Sequence, residues 1–252
     1  VRYILRADAD CTVINLDKLT YAGNLDNLRD IENDPRYRFV HGDIADAATV
    51  DPLFAGGIDV AVNFAAETHV DRSIGDPGDF ITTDVYGTYV LLEAARTHGI
   101  GKFIQISTDE VYGTIEPGRS SVETDQLLPR NPYSASKAGA DRLAYSYFAT
   151  YGMPVIITRA SNNYGPYQYP EKLIPLFVTN LLEGKEVPIY GDGKNVRDWL
   201  HVVDHCRGIA CAIDRGEDGE VYNIGGGNER ENIEVVNIIF SHLDKPASLK
   251  KF

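Results

Sequence analysis

The chain has 252 residues and a formal net charge of −13 at pH 7, and 43% of its residues are hydrophobic. This length predicts one large core, alone or with a smaller second lobe. The acidic balance argues against a broad nucleic-acid surface, and we find neither an apolar run of membrane-spanning length nor a signal peptide. The three cysteines lie at spacings typical of packing residues in a reduced, cytoplasmic protein.

Apolar strand-like runs alternate with helix-like stretches through the first 160 residues. This alternation predicts an α/β fold with a Rossmann-like, doubly wound parallel sheet covered on both faces. Steps of three and four residues in the third helix predict an inward stripe. The predicted strands are 11–16, 38–41, 60–64, 102–106 and 154–158, the helices are 24–32, 47–55, 79–98 and 132–151, and the stripe is Phe80, Thr83, Gly87, Val90, Leu91 and Ala94.

The regular alternation of strands and helices ends after residue 160, where Pro, Gly, Tyr and Asn cluster in SNNYGPYQYPEKLIP. We predict one domain over 1–160 and a smaller, mixed α/β lobe over 161–252. Both ends look incomplete, because the apolar start at Val1 has no helix cap and the tail 246–252 closes no element. We therefore expect a piece of a longer protein. In the lobe, the predicted helices are 172–183, 202–213 and 232–243, and the strands are 187–190 and 221–224.

Polar residues follow several of the predicted strands. Asp17, Asp43, the pair Ala65–Ala66 and the segment Ser107–Glu110 all stand at strand ends. Ligands of parallel sheets bind beyond the carboxyl ends of the strands, so these positions predict one site. Asp17 is typical of the acid that binds the adenosine ribose of NAD, but an acid there could equally cap a turn.

Tyr133 and Lys137 are four residues apart at the start of a predicted helix and therefore share a face. An ammonium beside a phenol favours the phenolate, which is a useful general base for a hydroxyl group. The same spacing also occurs by chance in exposed pairs. A hydroxyl of Ser107 or Thr108 at the strand end upstream could complete the set, and the two acids that follow indicate either proton transfer or a solvated turn.

His201 and His205 have the spacing of metal ligands on a helix. No third ligand stands at a motif distance from them. We predict a structural role for both and no metal.

Eight blocks, in order along nearly the whole chain, resemble the nucleotide-sugar 4,6-dehydratases of the extended short-chain dehydrogenase/reductase family. Tyr-x-x-x-Lys is shared by that superfamily, whereas the Thr-Asp-Glu triplet and NNYGPYQYPEKLIP are specific to the dehydratases. The resemblance implies an NAD-dependent hydro-lyase acting on dTDP-glucose, and a homodimer formed through helices 79–98 and 132–151. The blocks are LDKLTYAGNLDNL, HGDI, AAETHVDRSI, STDEVYG, PYSASK, SNNYGPYQYPEKLIP, GDGKNVRDWLHVVDH and YNIGGGNERENIEV.

The resemblance also implies a role for each residue of the site. NAD would oxidise the sugar C4 hydroxyl with Tyr133 as base, while Lys137 lowers the pKa of Tyr133 and Thr108 binds the C4 oxygen. Glu110 would take the C5 proton, and Asp109 would protonate the C6 hydroxyl as it leaves. Because adjacent carboxylates repel, their pKa values move apart, which allows one to be protonated while the other is ionised.

The resemblance implies that residues 1–160 mainly bind NAD and residues 161–252 mainly bind the substrate. It also implies further cofactor-binding and substrate-binding residues. Arg197 would bind the diphosphate, because its planar fork suits phosphate oxygens. Thymine would lie near Pro188–Tyr190, and Lys172 could instead be a solvated lysine at a helix start. The implied NAD residues are Asp17, Lys18, Leu19, Thr20, Asp43, Ile44, Ala65, Ala66, Thr83, Tyr133, Lys137 and Asn163, and the substrate residues are Thr68, Thr108, Asn162, Lys172, Leu173, Pro188, Ile189, Tyr190, Arg197 and Asn232.

The chain departs from the family pattern at several places. Thr68 stands where serine is common, and Asp84 stands where asparagine is usual. The Gly-rich loop that should precede residue 1 and the C-terminal Arg-Pro-Gly-His-Asp segment are absent from this sequence, so we expect the chain as written to bind NAD poorly. An epimerase or decarboxylase of the same family, a non-catalytic nucleotide-sugar-binding protein, and UDP-glucose as substrate stay open as alternatives.

Overall fold

The computed structural model describes residues 1–116 and 118–252. Its strands are β1 Val13–Asp17, β2 Tyr37–His41, β3 Val60–Asn63, β4 Lys102–Thr108, β5 Val155–Ala160, β6 Asn162–Tyr164, β7 Val187–Pro188, β8 Val196–His201, β9 Val221–Ile224, β10 Glu229–Glu231 and β11 Lys250–Lys251. Its α-helices are α1 Arg2–Ala7, α2 Ala47–Ala55, α3 Val70–Gly75, α4 Gly78–Phe80, α5 Thr88–His98, α6 Pro132–Tyr151, α7 Leu173–Leu182, α8 Val202–Arg215 and α9 Asn232–His242.

The chain divides into two compact units. The first contains residues 1–160 and 206–224, and the second contains residues 161–205 and 225–252. Residues 206–224 belong to the first unit because β9 is the outer strand of its larger sheet. The roles of the two predicted domains as NAD-binding and substrate-binding parts stay predictions.

All strands of the first unit run parallel, which confirms the predicted α/β class. They form two sheets, one of order β3-β4-β5-β9 and one of β1 and β2. The larger sheet is covered on both faces, as predicted. One face packs around Leu92 and Phe103 with helices α2, α5 and α6, and the other packs Ile104 and Ile156 against α8. Every residue of β5 is buried, which explains its apolar run Val155–Ile157.

The predicted helix over 24–32 is wrong. The structure has a short 3-10 helix at Leu25–Leu28, followed by turns. Asn24 caps this helix by accepting a hydrogen bond from the backbone N–H of Asp26. Short polar side chains of this kind compete for backbone groups and therefore favour turns over a continued α-helix.

The predicted helix over 79–98 is confirmed in position, but its middle differs from an α-helix. Residues Ile81–Gly87 between α4 and α5 are π-helical. The predicted inward stripe is buried, except that Thr83 is half-buried. Gly87 is required in that stripe, because a Cβ atom there would lie 2.5 Å from the Cδ1 atom of Ile44.

Helix α6 carries Tyr133 and Lys137, as predicted. Its N-cap is Asn131, whose side chain accepts a hydrogen bond from the backbone N–H of Ser134 at 2.8 Å within a capping box. Its C-cap is Gly152, which has a left-handed conformation with a φ of 65°. The helix therefore begins one residue before Tyr133 and holds that residue in its first turn.

The second unit has a three-stranded sheet of order β10-β8-β6, a two-stranded pair of β7 and β11, and a core between α7 and α9. The sequence predicts neither β6 nor β8. Their residues NNY and VRDWLH carry little period-two alternation, so neighbouring strands decide their conformation. Among the described residues, none of the helices combines the length and hydropathy needed to cross a bilayer.

Candidate active site

The acidic pair Asp109–Glu110 lies in a 3-10 turn that directly follows β4. Thr108 caps this turn, because its hydroxyl accepts a hydrogen bond from the backbone N–H of Glu110 at 3.2 Å. The same hydroxyl lies 3.3 Å from the Oδ1 atom of Asp109. Val111 and Tyr112 are buried and anchor the other end of the turn. The acids are thus held at the carboxyl end of a central strand, which favours a functional site over a solvated turn.

Tyr133 lies close to this turn. Its side chain is hydrogen-bonded to Thr108, and its ring packs edge-on against Phe80 with the centroids 6.4 Å apart. Burial, followed by the charges of Glu110 and Asp84, raises the pKa of Tyr133 well above its ordinary value. The sequence predicts that the pKa of Tyr133 is lowered, because Lys137 is visible in the sequence and the burial of Tyr133 is not. The chain by itself therefore holds Tyr133 as a phenol at neutral pH.

Lys137 is 4% exposed, so its ammonium group is held inside the unit. Its Nζ atom donates a hydrogen bond to the backbone carbonyl of Ile106 on β4 at 2.7 Å. Burial lowers the pKa of Lys137, and the charges of Asp84 and Asp141 oppose that shift. This environment excludes the interpretation of Tyr133 and Lys137 as an exposed surface pair.

Asp84 is 1% exposed and belongs to the same buried cluster. Its Oδ1 atom accepts a hydrogen bond from the backbone N–H of Glu67 at 2.9 Å, and its Oδ2 atom accepts one from the Ser136 hydroxyl. Burial raises the pKa of Asp84 to about 6, although the charge of Lys137 opposes this shift. Asp84 thus faces inward beside Lys137. The sequence pattern of the helix stripe does not indicate this position, because a carboxylate is rarely fully buried.

The ends of β1 and β2 place three of the predicted NAD residues together. Asp17 accepts a hydrogen bond from the backbone N–H of Leu19 at 2.8 Å. The Nζ atom of Lys18 lies 2.7 Å from the Oδ2 atom of Asp43, and Asp43 also accepts from the backbone N–H of Ala45. Burial opposes but does not cancel the effect of Lys18, so the pKa of Asp43 lies below its usual value.

The loop after β3 is held by Asn63, which no sequence motif singled out. Its Oδ1 atom accepts a hydrogen bond from the backbone N–H of Ala65 at 3.2 Å. Its amide nitrogen donates to Thr88 and to Gln105, each at 3.0 Å. This buried network fixes the backbone of Ala65 at the carboxyl end of β3. The sequence did contain one indication of this role, because Asn63 is a polar residue inside the predicted apolar strand 60–64.

The polar groups at the carboxyl ends of the strands in the first unit fit a dinucleotide. Asp17 is exposed, so its carboxylate could accept hydrogen bonds from ribose hydroxyls in addition to the one from Leu19. The Ser107 hydroxyl at the end of β4 is buried and has no hydrogen-bond partner within the described part of the chain. A buried polar atom of this kind is unusual, and a ligand group can satisfy it. Thr20 and Thr68 are exposed, Ile44 is buried, and Ala66 and Thr83 are half-buried.

The two histidines do not form a metal site in the structure. The Nδ1 atom of His201 accepts from the backbone N–H of Val203 at 3.3 Å. His205 is buried, which lowers its pKa to about 4. Residues 1–116 and 118–252 contain no group of three or more His, Cys, Asp or Glu side chains that could hold a metal ion.

The remaining predicted residues belong to the second unit. Asn162 and Asn163 lie on β6, and the amide nitrogen of Asn163 donates to the Ser161 carbonyl at 3.1 Å. Lys172 is the N-cap residue of α7, with its Nζ atom 3.6 Å from Glu171. Leu173 begins α7 and packs against the core of this unit.

The segment Pro188–Tyr190 and the residues Arg197 and Asn232 lie in the second unit as well. The predicted strand over 187–190 is shorter in the structure, since β7 ends at Pro188. Ile189 is buried and donates its backbone N–H to the Lys251 carbonyl, whereas Tyr190 is 77% exposed. Arg197 is exposed on β8. Asn232 begins α9, and its buried Oδ1 atom has no hydrogen-bond partner among the described residues.

Comparison with known proteins gives the family. The family model described as GDP-mannose 4,6 dehydratase matches residues 1–251. The chain belongs to this family. It is 55% identical to a dTDP-glucose 4,6-dehydratase of Actinoplanes sp. over 94% of this chain and 73% of that protein. It is 59% identical to the enzyme of that name from Streptomyces antibioticus, over 89% of this chain and 65% of that protein.

A solved structure of the family shares the fold closely. DesIV, a dTDP-glucose 4,6-dehydratase of Streptomyces venezuelae solved with NAD bound, aligns with a TM-score of 0.95 at 52% identity. The alignment covers 98% of this chain and 78% of DesIV. The resemblance predicted from the sequence to a nucleotide-sugar dehydratase is therefore confirmed.

Proposed function

We propose that this member of the GDP-mannose 4,6 dehydratase family is an NAD-dependent hydro-lyase that converts dTDP-glucose to dTDP-4-keto-6-deoxyglucose and water. Relatives at 55% and 59% identity carry the corresponding name. The observation that carries the proposal is the cluster of Thr108, Asp109 and Glu110 beside Tyr133. Tyr133 is hydrogen-bonded to Thr108, the Asp109 carboxylate lies 3.3 Å from the Thr108 hydroxyl, and the charge of Glu110 acts on Tyr133. In this proposal these four groups supply the proton transfers of the reaction.

The chain's own residues have distinct tasks in this reaction. Tyr133 takes the proton of the C4 hydroxyl, and Thr108 holds the C4 oxygen. Glu110 then takes the C5 proton, which the neighbouring ketone has made acidic. Asp109 protonates the C6 hydroxyl as it leaves as water. NAD, when bound, supplies a hydride acceptor and donor, and a positive ring charge that favours the phenolate form of Tyr133.

The two units divide the binding work in this proposal. The first unit would hold NAD through Asp17, Asp43 and the loop after β3. The second would hold the nucleotide sugar through Arg197, Asn232 and the segment Pro188–Tyr190. The buried oxygen of Asn232 without a partner supports this assignment, because a ligand donor can satisfy it.

The experiment that tests the function is mass spectrometry of dTDP-glucose after incubation with the protein, with and without added NAD. We expect the loss of one water and no net change in the cofactor. Retention of the full mass by a protein with bound NAD would contradict the proposal. An epimerase of the same family would leave the mass unchanged and alter only the sugar stereochemistry, so nuclear magnetic resonance of the recovered sugar separates the two. The same incubation with UDP-glucose tests the alternative substrate.

We also propose that the protein acts as a homodimer in the cytoplasm. The helical segment 78–98 exposes Tyr86 and Tyr89, whose ring centroids are 5.7 Å apart, and α6 exposes Tyr145. Exposed aromatic side chains on two long neighbouring helices suit an interface with a second copy. The free Cys206 and the two other unpaired thiols suit a reducing compartment.

Sedimentation velocity tests the dimer. We expect a dimer for the wild type and a monomer for the double variant Tyr86→Glu and Tyr89→Glu, because burial of two carboxylates opposes association. The control is Leu182→Glu, which changes an exposed apolar residue on α7 and should leave the dimer intact. A monomeric wild type would contradict the proposal.

A further inference from the structure

A buried ion pair lies behind the candidate active site. Arg159 on β5 is 2% exposed and Asp141 on α6 is 0% exposed, and the Nε atom of Arg159 lies 2.8 Å from the Oδ2 atom of Asp141. Asp141 stands one helical turn after Lys137, on the same face of α6. The pair thus ties β5 to the helix that carries two of the proposed catalytic residues.

The same arginine holds the turn that carries Asp109 and Glu110. Its NH1 atom donates to the hydroxyl of Tyr112 at 2.7 Å, and its guanidinium carbon lies 4.9 Å from the Tyr112 ring centroid. The Tyr112 hydroxyl in turn donates to the Oδ1 atom of Asn223 at 2.8 Å. Tyr112 is the last residue of the 3-10 turn that begins at Asp109. Its hydroxyl is therefore fixed from two sides.

Further contacts attach the segment after the turn to Arg159 and Asn223. The NH1 atom of Arg159 also donates to the carbonyl of Glu123 at 3.1 Å. The Glu123 carboxylate accepts the backbone N–H of Asn223 at 2.9 Å, and the Asn223 amide donates to the Ser121 carbonyl. The buried members of this network, Arg159, Asp141 and Tyr112, are all hydrogen-bonded, and such a cluster is rigid. Removal of Arg159 or Asp141 would break a buried ion pair, which is costly.

We propose that Arg159 is a positioning residue, which through Asp141 and Tyr112 fixes the turn Asp109–Tyr112 against helix α6. This inference rests on the proposed function, because it assigns the network to the elimination step. Helix α6 has its own supports, the Asn131 cap and the hydrogen bond from Lys137 to β4. The acidic turn depends more on the Tyr112 anchor. Loosening that anchor should slow C5–C6 elimination and spare C4 oxidation.

The test uses Tyr112→Phe, because replacement of Arg159 itself would remove the buried partner of Asp141, leave that carboxylate with only its neighbour Arg142, and could unfold the protein. Phenylalanine keeps the ring and removes the hydroxyl that Arg159 and Asn223 hold. The matched control is Tyr147→Phe on α6, which removes another phenol-to-carboxylate hydrogen bond, that from Tyr147 to Glu93 at 2.6 Å. That bond does not involve the turn.

In Tyr112→Phe we expect solvent-deuterium exchange at C5 and water loss in single turnovers to slow by about 10- to 100-fold, as for misplaced catalytic groups. The reduced-nicotinamide absorbance that reports C4 oxidation, and KM, should change by less than about twofold. Amide hydrogen exchange of residues 108–113 should speed up. Tyr147→Phe should leave all of these measurements near the wild-type values.

An equal slowing of oxidation and elimination, or no change in elimination, would overturn the positioning role. Unchanged amide exchange in residues 108–113 would overturn it as well, and that measurement needs no substrate. A wild-type protein that does not remove water from dTDP-glucose would instead refute the proposed function. In that case the amide exchange still decides whether the network holds the turn.

Discussion

The two units differ in how firmly they hold the residues proposed for function. In the first unit, Lys137 is almost fully buried and bonded to the Ile106 carbonyl, and Tyr133 is hydrogen-bonded to Thr108. In the second unit, Arg197 and Tyr190 are exposed to solvent. Groups that move protons must be fixed before the reaction, because reorganisation would add to the barrier. Groups that bind a flexible diphosphate gain their partners when the ligand arrives.

The largest effect is expected in the first unit, from Glu110→Gln. Loss of a general base lowers turnover by roughly 10²- to 10⁴-fold, and C5 proton exchange with solvent should fall with it.

Asp109→Asn should block water loss while C4 oxidation stays detectable. The control is Glu116→Gln, which changes an exposed residue of the following loop. Normal exchange of the C5 proton in Glu110→Gln would refute the role of Glu110.

A smaller effect of a different kind is expected in the second unit, from Arg197→Ala. A hydrogen bond to a charged group contributes about 1.5–3 kcal/mol, so KM for dTDP-glucose should rise by roughly 10- to 100-fold while kcat changes much less. The matched control is Arg230→Ala, since Arg230 is the exposed cross-strand partner of Arg197 on β10. A fall in kcat with unchanged KM would contradict the difference drawn between the units.

The smallest effect concerns stability and comes from Asp84→Asn. Burial raises the pKa of Asp84 from 3.8 to about 6, so the folded chain keeps this proton at pH values where the unfolded chain has lost it. Stability therefore falls as pH rises from about 4 to 6, and the buried charge costs at most about 3 kcal/mol above that range. Asparagine removes this cost and can still accept from Glu67 and donate to Ser136.

We expect Asp84→Asn to raise the free energy of unfolding at pH 8 by about 1–3 kcal/mol, and by much less at pH 4.5. Urea denaturation at both pH values measures the difference. Asp59→Asn is the control, because Asp59 is exposed. An equal gain at both pH values would show that the charge of Asp84 is not the cause.

The sequence predicted the grouping of the candidate site residues in the first unit better than the three-stranded sheet of the second unit. Ordered motifs indicated that Thr108, Asp109 and Glu110 at the end of β4 would act with Tyr133 at the start of α6, and Tyr133 is hydrogen-bonded to Thr108 in the structure. Strands β6 and β8 were missed because their conformation depends on pairing with each other. The helix over 24–32 was wrong because Asn24 and its polar neighbours bond to the backbone locally.

The sequence by itself determined the α/β class, helix α6, and the family. These follow from local spacing and ordered motifs, which need no knowledge of distant contacts. Only the tertiary structure decided the direction of the Tyr133 pKa, the inward position of Asp84, and the network of Asp141, Arg159 and Tyr112. Each of these depends on burial or on groups far apart in the chain, and burial sets the energy of a charge more strongly than sequence spacing does.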